Sequence, residues 1–61
     1  MLKYNDRELQ NIGNNVASLW GARVESWTVN NYDETVTFHC NEFGERFDTE
    51  LSFDDLAEYD Y

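Results

Sequence analysis

A chain of 61 residues with a single cysteine has to fold without an internal disulfide. At this length only ~60% of the unfolded surface can be buried, so one small core must hold the whole structure. Residues 1-61 are accordingly read as a single domain. Leu, Ile, Val and Phe total 14 of the 61 residues, just above the ~20% level below which chains stay disordered. Two Trp and four Tyr supply further apolar area, at ~150–250 Å² per large ring. The expectation is a folded domain of marginal stability, with Cys40 a reduced, buried thiol.

The periodicity gives an α-β-β-β-α order, an α+β fold. Asn5 can cap a first helix, with Glu8 as the reciprocal partner of a capping box and Tyr4 and Leu9 placed for a hydrophobic staple. Leu9, Ile12, Val16, Leu19 and Trp20 follow helical spacing and form one apolar stripe. Gly21 can close the helix in a left-handed conformation, while Gly13 lowers helix propensity from within. Three β-rich runs follow, Ala22–Val29, Thr35–Cys40 and Arg46–Leu51. The short gaps between them, Asn30–Glu34 and Asn41–Glu45, imply an antiparallel meander. The main helix is expected to pack on one sheet face. Val36, Phe38 and Cys40 share one face of the second run, and Phe47, Thr49 and Leu51 share one of the third. In the first run Val24 and Trp27 are three apart, so either a bulge intervenes or one of them faces solvent. Ser52 can cap a last helical turn, with Leu51 stapled on Leu56 and a tail, Glu58–Tyr61, that frays.

Chemistry-bearing constellations are sparse. His39 and Cys40 are adjacent in a strand, so their side chains point to opposite faces, which is poor geometry for a nucleophile–base pair. No Gly-rich phosphate loop is present. Asp54, Asp55, Glu58 and Asp60 lack the alternate spacing and turn glycine of a calcium loop, and one His with one Cys cannot supply a zinc site. The expectation is no catalytic site, no metal and no cofactor. No apolar run reaches the ~18 residues of a membrane span, and the first residues lack the apolar core of a signal peptide. A cytoplasmic location is the reading that fits.

Charge is the outlying property. Thirteen Asp and Glu against four Lys and Arg give a net charge of −9, beyond the magnitude of about 2–8 usual for a small domain. Such a chain repels phosphate backbones and anionic lipid, so neither nucleic acid nor membrane is an expected direct ligand. The charge is also uneven. Residues 1–20 balance Lys3 and Arg7 against Asp6 and Glu8. Residues 42–61 set Arg46 alone against Glu42, Glu45, Asp48, Glu50, Asp54, Asp55, Glu58 and Asp60. Asp48 and Glu50, two apart on a strand face, have attachment points ~6.6–6.8 Å apart, close to twice the ~3.4 Å rise per nucleotide along a DNA strand. With Asp54, Asp55 and Glu58 placed at the same end of the molecule, an acidic ridge is expected. Solubility and the protection of an edge strand would also account for such charges.

In size, charge and compact α/β pattern the chain resembles the small acidic phage-encoded inhibitors of host defence, including anti-restriction and anti-CRISPR proteins. That resemblance implies a non-catalytic inhibitor, acting in the cytoplasm of a bacterial host. It would occupy a basic nucleic-acid-binding protein or nucleoprotein complex by DNA-like charge mimicry. The partner-binding residues on this reading are Glu42, Glu45, Asp48, Glu50, Asp54, Asp55 and Glu58, with Phe43 and Tyr59 as aromatic anchors. The alternative is a small intracellular adaptor or regulatory subunit using apolar contacts, a homodimer paired through its first strand with Trp27 in the interface.

Overall fold

The computed structural model describes all residues, Met1–Tyr61, and has the α+β architecture expected. Helix α1 spans Asp6–Ser18. Strands β1 (Arg23–Asn30), β2 (Thr35–Glu42) and β3 (Glu45–Ser52) form one antiparallel sheet in that order. The last element, Asp55–Tyr59, is a 3-10 helix rather than the α-helical turn expected.

The capping box at the start of α1 is formed. Glu8 N–H donates to Asn5 Oδ1 at 2.9 Å, and Asn5 N–H donates to Glu8 Oε1 at 3.0 Å. These bonds satisfy two of the amides a helix start leaves without partners. At the other end Ala22 N–H bonds to the Ala17 carbonyl and Gly21 N–H to that of Ser18, with Gly21 at φ +66°. This is a Schellman closure. It stops the helix before Leu19 and Trp20, so the apolar stripe is shorter than expected. Leu9, Ile12, Val16 and Ala17 are buried, while Leu19 and Trp20 stay 60% and 49% exposed.

The sheet register answers the ambiguity in the first strand. Val24 opposes Cys40, Trp27 opposes Phe38 and Val29 opposes Val36, with a shift between Val24 and Ser26. Glu25 is the extra residue of a bulge, and it brings Val24 and Trp27 to the same, helix-covered face. Trp27 packs against the core. It remains partly exposed. On β3, Phe47 and Leu51 join that face opposite Cys40 and Val36. The 3-10 helix closes the remaining side of the core, where it meets both α1 and β3 and buries Leu56. The residue before this helix is Asp54, not the Ser52 expected as its cap, and Asp54 makes no capping side-chain bond; Ser52 Oγ accepts from Asp55 N–H at 3.2 Å.

Strands β2 and β3 run further than the sequence pattern indicates, to a two-residue turn at Phe43–Gly44. Both turn residues have positive φ, +52° and +89°, as a type I′ hairpin demands. The tail does not lie free. Asn15 Nδ2 donates to the Tyr59 carbonyl at 2.7 Å, and Asn11 Nδ2 to that of Tyr61 at 3.0 Å.

Gly13 faces the sheet over the side chains of Phe38 on β2 and Val24 on β1. A Cβ there would lie 2.8 Å from Phe38 Cδ1 and 3.1 Å from Val24 Cγ2. The Phe38 ring is fully buried. Replacing Gly by Ala inside a helix gains ~1 kcal/mol in propensity, but overpacking a filled core costs ~1–3 kcal/mol. Gly13→Ala is expected to be destabilising on balance, with a lower thermal midpoint in circular dichroism. A raised midpoint would show that the helix has room to lift.

Candidate functional site

The sheet has one covered face and one open face. The open face carries Ser26, Thr28 and Asn30 from β1, Thr35, Thr37, His39 and Asn41 from β2, and Arg46, Asp48 and Glu50 from β3, by the alternation of the register. Glu25, displaced by the bulge, reaches over this face. Asn41 Nδ2 donates to its Oε2 at 3.5 Å, and Arg46 Nε lies 3.4 Å from its Oε1.

Three residues on this face form a line across all three strands. His39 Nδ1 lies 2.8 Å from Asp48 Oδ1, and His39 Nε2 lies 2.9 Å from Thr28 Oγ1. With Nδ1–H donating to the carboxylate, Nε2 accepts the Thr28 hydroxyl proton. The order of groups is that of a carboxylate–imidazole–hydroxyl relay. The three groups link β1, β2 and β3 across the open face. The three surface clefts are lined by other residues. The sequence pattern puts His39 on the solvent face but gives no sign of its two partners, because the His39–Asp48 pair depends on where the β2–β3 turn falls and the Thr28 diagonal depends on the bulge.

Cys40 lies behind His39 on the covered face, 1% exposed. Burial pushes its thiol pKa up, and the nearby Asp48 carboxylate adds to the shift. A protonated, enclosed thiol is a poor nucleophile.

The acidic residues do not gather at one end. Glu42 and Glu45 face each other at the β2–β3 turn. Asp54 and Asp55 follow the far end of β3, where Ser52 pairs with Thr35. About seven residues at ~3.3 Å each separate the two groups, so they stand ~23 Å apart. Asp48 and Glu50 lie between them on the open face. Glu42 is set on the helix side, its Oε2 3.7 Å from where a Gly21 side chain would begin. Glu58 lies exposed on the 3-10 helix. The ridge is thus a band along the β3 edge that changes face along its length. Tyr59 packs on the core and is only partly available as an anchor, whereas Phe43 is 98% exposed.

Two acids not singled out from the sequence join the band. Asp33 and Glu34, in the β1–β2 loop, share a shallow depression with Asp54, fixed by a Phe53 N–H bond to the Glu34 carbonyl at 2.9 Å. The meander itself carried that signal, since the β1–β2 loop must return beside the end of β3. Beside it a groove of about 290 Å³ runs between Leu2–Tyr4, Phe53 and Ala57. No group of three or more His, Cys, Asp or Glu side chains is arranged to hold a metal ion. No helix is long and apolar enough to cross a membrane.

Ion pairing separates the acids further. Asp48 accepts a hydrogen bond from His39, and Arg46 is paired with Glu25. Glu42, Glu45, Glu50, Asp54, Asp55 and Glu58 have no cationic partner in the protein.

Two measurements check this description. Cys40 is expected to react with a thiol reagent only as fast as the domain opens, so labelling accelerates with denaturant; labelling at the rate of a free thiol in buffer contradicts it. Hydrolysis of p-nitrophenyl acetate by the protein and by its His39→Ala variant is expected to differ by no more than one free imidazole contributes. A larger difference would make the relay catalytic.

Comparison of the chain with known protein families, with curated proteins and with solved structures finds no match.

Proposed function

We propose that this is a non-catalytic binding protein whose acidic band occupies a basic, nucleic-acid-binding surface on another protein. The observation that supports this reading most is the set of unmatched carboxylates. Six of the residues read as partner-binding, Glu42, Glu45, Glu50, Asp54, Asp55 and Glu58, have no cationic partner within the fold. Asp33 adjoins Asp54 in the same condition. None of these carboxylates is neutralised within the fold. A surface rich in Arg and Lys would neutralise them.

On this reading the carboxylates compete with phosphates for the partner's Arg and Lys side chains. The net charge of −9 steers the encounter. Phe43 anchors the contact, and Tyr59 contributes its exposed part. The role is that of an anti-defence inhibitor of the DNA-mimicking kind, working in the cytoplasm, of a bacterial host if the chain is phage-encoded. A reduced Cys40 fits that compartment. The adaptor reading, with dimers formed through β1, has less behind it. The strand is an edge, but a bulge at Glu25 interrupts it and Trp27 is turned into the core.

The test is capture from a host lysate, followed by measurement with the purified partner. A DNA-handling protein is expected, released by salt and displaced by DNA. Reversing Glu50, Asp54 and Asp55 to Lys is expected to weaken that complex at least tenfold, about 1.4 kcal/mol, and to flatten its salt dependence. Unchanged affinity in this variant removes the proposal.

A further inference from the structure

Phe43 combines two unfavourable properties at one residue. Its φ is +52°, in the left-handed region that bulky side chains seldom enter. Its side chain is also 98% exposed and touches no part of the core. The type I′ turn it occupies is best served by Asn-Gly or Asp-Gly. Gly44 meets that preference, and Asn41 Oδ1 supports the turn by accepting Gly44 N–H at 2.7 Å. Phe43 is the one turn residue that opposes it. A strained residue that contributes no packing points to a contact outside the fold.

Its surroundings describe that contact. The Schellman closure of α1 brings Leu19 and Trp20 to the same end of the molecule. Trp20 stands edge-on to Phe47, ring centroids 5.8 Å apart, and remains half exposed. A cleft between Gly21–Arg23 and Phe43–Gly44 joins the helix end to the hairpin tip. Glu42 and Glu45, both without cationic partners, flank the tip. The α1 carbonyl end adds negative potential.

We propose that the hairpin tip is the anchor of the protein's interface, and that Phe43 inserts into an apolar pocket rimmed by Lys or Arg on a basic partner protein. This deepens the reading above and rests on it for the sign of the partner's charge. A second copy of this chain fits less well. Each copy carries −9, so two tips flanked by Glu42 and Glu45 repel one another.

The probes are two synthetic peptides of equal positive charge, one an oligolysine and one a Lys/Arg peptide with alternating Leu and Trp. Each is titrated into the ¹⁵N-labelled protein. The apolar-bearing peptide is expected to bind at least tenfold tighter, shifting amides of Leu19–Arg23 and Glu42–Glu45. Phe43→Asn is expected to abolish that preference while raising the folding equilibrium constant about fivefold, as relief of the turn strain predicts. Equal affinity of the two peptides for the wild type, a preference retained in Phe43→Asn, or a less stable Phe43→Asn each overturns the proposal. The double variant Asp54→Lys, Asp55→Lys separates it from the reading it rests on. If that variant loses both peptides while Phe43→Asn keeps its preference, the tip assignment falls and the acidic reading stands. If the double variant binds both like the wild type while Phe43→Asn loses its preference, the tip stands and the acidic reading falls.

Discussion

The distance between α1 and the sheet is fixed by one contact, the backbone of Gly13 against the ring of Phe38. With hydrogen in place of a methyl group the helix comes close enough to bury Leu9, Ile12, Val16 and Ala17 against the sheet, nearest β1. The core they join has nine buried residues. Other features follow from that close approach. The bulge at Glu25 turns both Val24 and Trp27 inward, and the 3-10 helix is left only the strip beside β3 to cover with Leu56.

The same economy decides where charge can go. The covered sheet face, the inner side of α1 and the 3-10 helix are committed to the core, so most of the thirteen acids stand on edges and turns. The meander sorts them by position along the strands rather than by position in the chain. Asp33 and Asp54, twenty-one residues apart in sequence, become neighbours at one end. Glu45 and Asp54, nine apart, are held at opposite ends. The four basic residues are too few to neutralise what results.

Much of the fold was legible in the residues. The capping box, the Gly21 closure, the meander, the inward faces of β2 and β3 and the choice posed by Val24 and Trp27 all follow from spacing. What was not legible has physical causes. Leu19 and Trp20 keep helical spacing, but the Schellman turn ends the helix before them. The β2–β3 turn reads in the sequence as Asn41–Glu45, wider than the two residues it has, because the polar Asn41, Glu42 and Glu45 do not extend the apolar alternation of the strands. Gly13 read as a weakness in a helix, since only the packed ring of Phe38 shows why a side chain cannot stand there. The acidic band was visible as composition and misplaced as geometry.

The 3-10 helix has a consequence for the order in which this domain opens. Adjacent strands pair with adjacent strands, so the sheet is made of local hairpins with low contact order. Leu56 is different, since it completes a core begun by Leu9 far earlier in the chain. It is held there by packing, by Ser52 at the near side and by the Asn15 side chain at the far side, with no ladder hydrogen bond to the sheet. Release of this segment breaks no strand pairing, so it defines a cooperative unit of lower free energy than the sheet. Amide exchange would see the 3-10 helix leave first, uncovering a slot of Leu56's shape while the hairpins persist.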